Sequence, residues 1–422
     1  MTAFTVSGRP SGGLRPSVPL EVPGDKSISH RALLLAARAR GASTITGLSR
    51  GEDVGRTRAA VEALGAGVKD DGAGTLRITG GDLGAPSTTI DAGNSGTTMR
   101  LLAGFCAPLP WRTVIAGDAS LSRRPMDRVV TPLREMGARI GGRDGGRLAP
   151  LEIDGGGLHG IDYALPVASA QVKGAVLLAG VGADGETVVR EQVRTRAHTE
   201  ELLELAGADT TVEDGGRVVR VRPSELRPFN LHVQGDPSQA AFWLVAATIV
   251  PGSELTVDDL YLGPARDGFV GVLERMGADL TVEGAHIRAR AASLRSTTVE
   301  GDKVPRLIDE IPVLAVAAAV AEGTSVFRDV GELRVKESDR ILTMAEGLGK
   351  LGADVSVTKD SLTVHGPARL HGATVDAHGD HRVAMALAVA GLAAEGETTV
   401  EGWEAVAISY PTFADDLHRC LS

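Results

Sequence analysis

The stretch VLERMGADLTVEGAHIRARA, residues 272–291, decides the fold. It opens as the end of an amphipathic helix. Gly277 then stands where a helix terminates in the left-handed conformation, which glycine enters without a Cβ penalty. An alternating run, a Glu283-Gly284 turn and a second alternating run follow, the pattern of two short strands. The same order recurs at AVEALGAGV (Gly65), LREMGARI (Gly137), LLELAGADT (Gly207) and GLGKLGADV (Gly352). These glycines lie 72, 70, 70 and 75 residues apart. Such a period marks a repeated structural unit.

A second series interleaves with the first. Six segments are apolar nearly all round: ISHRALLLAARA, TTMRLLAGFCA, AQVKGAVLLAGV, SQAAFWLVAATIV, IPVLAVAAAVA and HRVAMALAVAGLAA. A helix hydrophobic on every side is a buried one. The two series together predict six copies of one unit: a buried helix, a strand, a more exposed helix and a strand pair. The sixth exposed helix is YPTFADDLHRCL, residues 410–421. Its strands must come from the N-terminus, with TVSG (5–8) and SVPLEVPG (17–24) as candidates. Both chain ends then fall in one domain. Six units divide into two groups of three, giving a discontinuous domain of residues 1–21 plus 235–422 and a second domain of residues 22–234.

Bulk properties narrow the class. A chain of 422 residues exceeds one ordinary core, and 43% hydrophobic content with 54 scattered glycines suits a compact α/β protein. A net charge of -10, no basic tail and 3% aromatics argue against nucleic-acid binding. Cys106 and Cys420 form neither a metal-ligand spacing nor a disulfide framework, and Cys106 reads as packed in a helix. There is no apolar run of membrane-spanning length, and MTAFTVSGRPSGG has no signal-peptide core. A cytoplasmic enzyme is the expectation, with neither membrane nor nucleic acid as partner.

The helix starts point to an anion. PGDKSISHR, residues 23–31, resembles the end of a nucleotide P-loop, but Asp25 precedes Lys26 and no glycine lies five residues before Gly24. An acidic residue there would repel a polyphosphate. Lys26, Arg31, Ser27 and Ser29 still favour a single anionic group at a helix N-terminus. The plain alternative is a polar cap with solvated charges. Ordinary caps predict Ser, Thr, Asn and Asp. They do not predict Lys26, Arg31, Arg100 and Arg382 near helix starts, where the dipole disfavours cations. The expectation is an anion-binding cleft between the two domains.

The motifs PGDKSISHRALLLAA, DAGNSGTTMRLL, GDASLSRRPMDRVVTPLREMGA, PVASAQVKGAVLLAG, GDPSQAAFWLVAA, ELRVKESDR and GDHRVAMALAVAGL, in that order, resemble the 5-enolpyruvylshikimate-3-phosphate synthase family from about residue 10 onward. The resemblance implies an α/β, two-domain enolpyruvyl transferase fold, an inside-out α/β barrel with three repeated units per domain and the active site in the interdomain cleft. It implies transfer of the enolpyruvyl group of phosphoenolpyruvate to the 5-hydroxyl of shikimate 3-phosphate, by addition and elimination, with no metal and no organic cofactor. A monomer is the family default.

Residue roles follow from the same resemblance. Lys26, Arg124, Arg340 and Arg382 would surround phosphoenolpyruvate, with Gly96 allowing close backbone approach and Gln171 assisting. Ser169 and Arg196 would hold the phosphate of shikimate 3-phosphate, and Ser27 and Arg31 its other polar groups. Lys336 and Asp309 match positions at its ring and 5-hydroxyl. Asn94, Thr97, Ala170 and His381 complete the expected binding set. Lys26 is also counted with the catalytic group. Asp309 is the candidate base for the 5-hydroxyl, and Glu337 the candidate to protonate the methylene carbon and later deprotonate it. Each carboxylate has a plainer reading: Asp309 as a helix N-cap, and Glu337 as an i,i+3 partner of Arg340 on a helix. His381 reads as a cap or a proton-handling neighbour.

Some positions depart from the family pattern. Ser409 stands where several members carry Lys, Glu332 where some have Asn, and Leu101 where many have Pro. TRAHTEEL, residues 195–202, matches the branch in which Arg196 meets substrate. Gly96 implies room for glyphosate. The nearest rival is the enolpyruvyl transferase acting on UDP-N-acetylglucosamine, which uses a Lys-Asn pair at its first helix and usually a loop cysteine as acid. A non-catalytic phospholigand-binding protein of the same fold would not need both Asp309 and Glu337 among the cations.

Overall fold

The computed structural model describes residues 2–72 and 74–421. The chain divides into two compact units, Gly24–Val233 and Met1–Pro23 with Gln234–Ser422. Each contains three buried helices: Lys26–Arg38, Gly96–Cys106 and Ala170–Gly180 in the first, Pro237–Ile249, Ile311–Val320 and His381–Ala393 in the second. Every residue of Ile311–Val320 except the last is buried.

Each buried helix sits in the same setting. In the second repeat, the strand Ile90–Asp91 leads into the helix Gly96–Cys106, which leads to Arg112–Ala116, parallel to the first strand. The outer helix Asp127–Glu135 follows, then the antiparallel pair Arg139–Arg143 and Leu148–Asp154. Leu148–Asp154 pairs antiparallel with Arg112–Ala116 and so joins the hairpin to the sheet. Five four-stranded sheets of this kind and one of three strands account for the named sheet strands.

The N-terminal segments depart from expectation in part. Ala3–Ser7, which includes Thr5 to Ser7 of TVSG, pairs antiparallel with Glu397–Glu401 and completes the sixth sheet. Leu20–Glu21, from SVPLEVPG, instead pairs parallel with Val257–Asp258 of the fourth sheet. The cause is an exchange of strands. Asn230–His232 precedes the fourth buried helix but pairs with Thr44–Thr46 of the first sheet. The fourth sheet therefore takes its short parallel strand from before the first helix.

Backbone contact governs the packing of the inner helices. A Cβ at Gly104 would lie 2.0 Å from the carbonyl oxygen of Ala175, so these two helices meet main chain to main chain. In the discontinuous unit, six of the chain's few aromatics gather around the termini: Phe4 stacks on Trp403 at 4.2 Å, and Trp243 on Phe413 at 4.8 Å, with Tyr410 and Phe242 edge-on to Phe413.

The glycines that end the outer helices are left-handed, with φ of 100° at Gly65, 97° at Gly137, 77° at Gly207, 90° at Gly277 and 93° at Gly352. At Gly277 the amide donates to Glu274 and the next amide to Leu273, which satisfies carbonyls of the last turn. A Cβ there would meet nothing closer than 3.5 Å, so an alanine suffers the φ penalty alone. We expect Gly277→Ala to lower stability by about 1–2 kcal/mol. Gly271→Ala, inside the same helix with φ in the ordinary range and open space for a methyl, should raise it by about 0.5–1 kcal/mol. Urea unfolding of both variants checks the pair of opposite signs.

Candidate active site

Five of the six buried helices are capped at their starts by a side chain of their own sequence. Asp25, Ser95 and Ser169 accept from Ile28, Thr98 and Val172 in one unit, and Asp236 and Asp380 from Ser238 and Arg382 in the other. The capping requirement is therefore met by ordinary residues, and the cations are additional to it. Two of those cations, Lys26 and Arg382, have a carboxylate partner that offsets the dipole, Asp53 and Asp309.

In the unit Gly24–Val233 these partners join the expected residues into one connected cluster. Lys26 Nζ lies 2.9 Å from Asp53 Oδ2, a largely buried pair linking the first buried helix to the outer helix Glu52–Ala63. Arg31 is buried and spends three of its five N–H groups on protein: Nε to Thr199 Oγ1 at 2.6 Å, Nη1 to Ser27 O and Nη2 to Ala170 O, both at 3.0 Å. Burial pushes the Arg31 guanidinium down to about 10, with Arg196 adding to the effect while Glu200 and Asp25 oppose it. Arg100 donates to Gln171 Oε1 at 3.0 Å and to Pro125 O at 3.1 Å, and Gln171 Nε2 donates to Thr97 Oγ1 at 2.9 Å. Arg124 donates to Asn94 through its backbone oxygen at 3.2 Å and its side-chain oxygen at 2.5 Å. A Cβ at Gly96 would lie 2.6 Å from Arg100 Nη1 and 3.5 Å from Arg124 Nη1. Glycine there lets two guanidinium groups approach the backbone.

Behind this cluster runs a buried chain of polar side chains. His30 Nδ1 lies 2.7 Å from Thr57 Oγ1, which lies 2.8 Å from Thr98 Oγ1, and Thr98 also bonds Ser95 Oγ. It ties three helices together beneath Lys26 and Gly96.

The second cluster belongs to the discontinuous unit and centres on Arg340. Its guanidinium is almost wholly buried. Nε donates to Asp380 Oδ2 at 2.8 Å, Nη2 to Glu337 Oε2 at 2.5 Å, and Nη1 to Asp309 Oδ1 at 3.4 Å. Burial alone would lower its pKa, but Asp380, Glu337 and Asp309 together hold it above the usual arginine range. Arg382 Nη1 donates to Asp309 O at 3.3 Å. Burial holds the Lys336 ammonium below the usual lysine range; Arg340 pushes the same way, while Asp309, Glu337 and Glu332 oppose. His381 is fully buried in the first turn of its helix.

Two plainer readings change. The helix Ile311–Val320 takes Glu310, not Asp309, as its N-cap, and no side chain caps it. Asp309 is turned to Arg340 instead. Glu337 does pair with Arg340, but it precedes the helix, which begins at Arg340 with Asp339 as cap. Asp53, Thr199 and Asp380 were not singled out as site residues by the sequence. Asp380 stands directly before a buried helix in GDHRVAMALAVAGL, where an aspartate is an ordinary cap, whereas Asp53 and Thr199 carry no such local signal.

Other positions are also settled. Cys106 is buried in its helix, and burial pushes its thiol up to about 12, which unfits it as an acid. Leu101 and Ser409 are buried, and Glu332 is exposed. Among the described residues no group of three or more His, Cys, Asp or Glu could hold a metal ion, and no helix is long and apolar enough to cross a membrane.

Comparison with known proteins bears on these clusters. The family described as EPSP synthase (3-phosphoshikimate 1-carboxyvinyltransferase) matches residues 11–417. A 3-phosphoshikimate 1-carboxyvinyltransferase from Synechococcus sp. (strain JA-3-3Ab) is 50% identical over 427 residues, covering 98% of this chain and 96% of that protein. One from Gloeobacter violaceus is 50% identical over 413 residues, covering 95% of each. The solved EPSP synthase from Acinetobacter baumannii superposes with a TM-score of 0.86 at 40% identity, covering 99% of this chain and 98% of that one.

His30 gives the first cluster a measurable pH response. Burial, then Lys26 and Arg31, hold its folded pKa well below 6.5. Between that folded value and 6.5 the unfolded chain binds the extra proton, so stability rises with pH there and falls as the pH drops below 6.5. The slope is at most about 1.4 kcal/mol per pH unit. Between pH 7 and 5, His30→Gln should lose less stability than the native chain by about 1–2 kcal/mol. Parallel urea series at both pH values check this; equal losses would show that His30 is not the responsive group.

Proposed function

The chain belongs to the EPSP synthase family, and from that premise we propose how its two clusters carry out the reaction. Its activity is that of a 3-phosphoshikimate 1-carboxyvinyltransferase of the shikimate pathway, with the two-domain enolpyruvyl transferase fold. The enolpyruvyl group of phosphoenolpyruvate passes to the 5-hydroxyl of shikimate 3-phosphate, and phosphate leaves.

The proposed division of labour is as follows. Lys26, Arg124, Arg340 and Arg382 neutralise phosphoenolpyruvate, with Gly96 and Gln171 against it. Ser169, Ala170 and Arg196 hold the phosphate of shikimate 3-phosphate. Ser27, Asn94, Thr97 and the two uncommitted N–H groups of Arg31 meet its remaining oxygens. Lys336 and His381 lie with the acid–base group. Asp309 takes the proton of the 5-hydroxyl as that oxygen bonds to C2 of phosphoenolpyruvate, and Glu337 supplies a proton to C3. In the second half Glu337 removes a proton from C3, the C2–O bond to phosphate breaks, and the hydroxyl's proton departs with phosphate. We also propose that the chain works as a monomer in the cytoplasm, as the family resemblance suggests.

One observation carries this reading: a single buried guanidinium, Arg340, holds Asp309, Glu337 and Asp380 at once. Asp380 is committed to its helix cap. Asp309 and Glu337 precede their helices without capping them, and an arriving substrate anion competes with both for Arg340. Binding thereby frees both groups beside the reacting atoms: Asp309 as the carboxylate that accepts the hydroxyl's proton, and Glu337, having taken up a proton on losing its ion pair with Arg340, as the acid that gives it to C3.

The deciding assay is phosphate release with shikimate 3-phosphate against UDP-N-acetylglucosamine, where turnover with the second alone would overturn the reading. Glu337→Gln and Asp309→Asn should each cut kcat by about 10²–10⁴-fold while folded. Near-normal turnover in both would remove the acid–base assignment. Glyphosate should inhibit competitively with phosphoenolpyruvate. Gly96→Ala should raise the KM for phosphoenolpyruvate, because its methyl displaces the Arg100 guanidinium. Steady-state kinetics at limiting phosphoenolpyruvate measure both effects.

A further inference from the structure

Lys173 is a charged residue for which the reaction has no direct use. It lies in the body of the helix Ala170–Gly180, with its side chain wholly out of solvent. Its Nζ donates to Glu191 Oε2 and Glu200 Oε1, each 2.9 Å away, and both carboxylates are buried as well. One ammonium between two carboxylates is a poor device for stability, because apolar side chains of similar volume serve as well or better. Burial pushes Glu200 above the ordinary carboxylate range in spite of Lys173.

What the three charges accomplish is to join segments. Glu191 accepts from the Thr195 amide at 3.3 Å and also from the Thr195 hydroxyl. That closes the loop immediately before Arg196. The helix His198–Leu205 has Ala197 as N-cap and no side-chain cap, so this closure and Glu200 decide where it starts. Thr199, beside Glu200, accepts from Arg31, which also reaches Ala170 O. The Lys173 amide itself donates to Ser169 O at 3.0 Å. The segments bearing Ser169 and Arg196 thus meet at one buried ammonium, and Arg31 bonds a neighbour of each, Ala170 and Thr199.

We infer that Lys173 is a positioning residue for shikimate 3-phosphate: with Glu191 and Glu200 it sets the spacing of Ser169 and Arg196 that receives the substrate phosphate. The inference rests on the assignment of those two residues above. It separates the substrates, since of the residues assigned to phosphoenolpyruvate only Gln171 shares the helix of Lys173, while Lys26, Gly96, Arg124, Arg340 and Arg382 lie on other segments.

The test is the triple variant Lys173→Met, Glu191→Gln, Glu200→Gln, which removes all three charges and leaves none buried alone. It should fold, bind shikimate 3-phosphate about tenfold or more weakly by calorimetry, and keep its KM for phosphoenolpyruvate. Unchanged shikimate 3-phosphate binding would overturn the inference, as would an equal rise in both KM values, which marks a general loosening. If the triple variant does not fold, Thr195→Val decides, because it releases the loop without touching a charge: weaker shikimate 3-phosphate binding is expected, and unchanged binding would overturn the inference. Arg196→Ala separates the two levels. Unaltered binding in that variant removes the underlying assignment, whereas weakened binding there beside a normal triple variant removes Lys173 alone.

Discussion

A helix buried on every side leaves its first N–H groups with no water to turn to, and the rest of this structure depends on how that is resolved. Five of the six buried helices use an Asp or Ser of their own as cap. Having placed carboxylates in the interior, the fold must then balance them. Asp380 is answered by Arg340 and Asp236 by Arg266, both buried. Arg266 also lies near Glu310, as Arg340 does near Glu337 and Asp309. Lys173, with Glu191 and Glu200, is a further version of one cation serving more than one carboxylate. One of these balanced sets, around Arg340, contains Asp309 and Glu337, the two carboxylates proposed for proton transfer.

The same economy explains the positions of the arginines. A cation at a helix start opposes the dipole, yet Lys26 and Arg382 occupy first turns. Asp53 offsets the first and Asp309 the second. Gly96 contributes by having no side chain, which is why two guanidinium groups crowd its backbone. Ser409, where a family lysine is often found, is buried. The cations of the second cluster are therefore Lys336, Arg340 and Arg382, against Asp309, Glu337 and Asp380.

What was legible in the sequence was local. Glycine punctuation, all-apolar helices and cap residues are signals confined to a few positions, and they yielded the repeat and the two series of helices. Pairings were not legible. Lys26 and Asp53 are 27 positions apart, Arg340 and Asp380 are 40, and Arg31 and Thr199 are 168. Nothing in a single segment announces such a partner. The strand exchange escaped for a related reason. Leu20–Glu21 and Asn230–His232 look alike as short strands before a buried helix, and only the sheet each joins distinguishes them. Glu337 read as a helical neighbour because its spacing to Arg340 suits a helix that in fact starts three residues later.

The pairing of Ala3–Ser7 with Glu397–Glu401 bears on how the protein is made. Residues 24–233 form an uninterrupted run, so that unit can assemble as it leaves the ribosome. The other unit cannot. Its first strand emerges before any of its three buried helices and must remain unpaired until residue 401 has been synthesised. For most of translation a strand edge therefore waits without its partner, and the late-arriving segment closes the sheet.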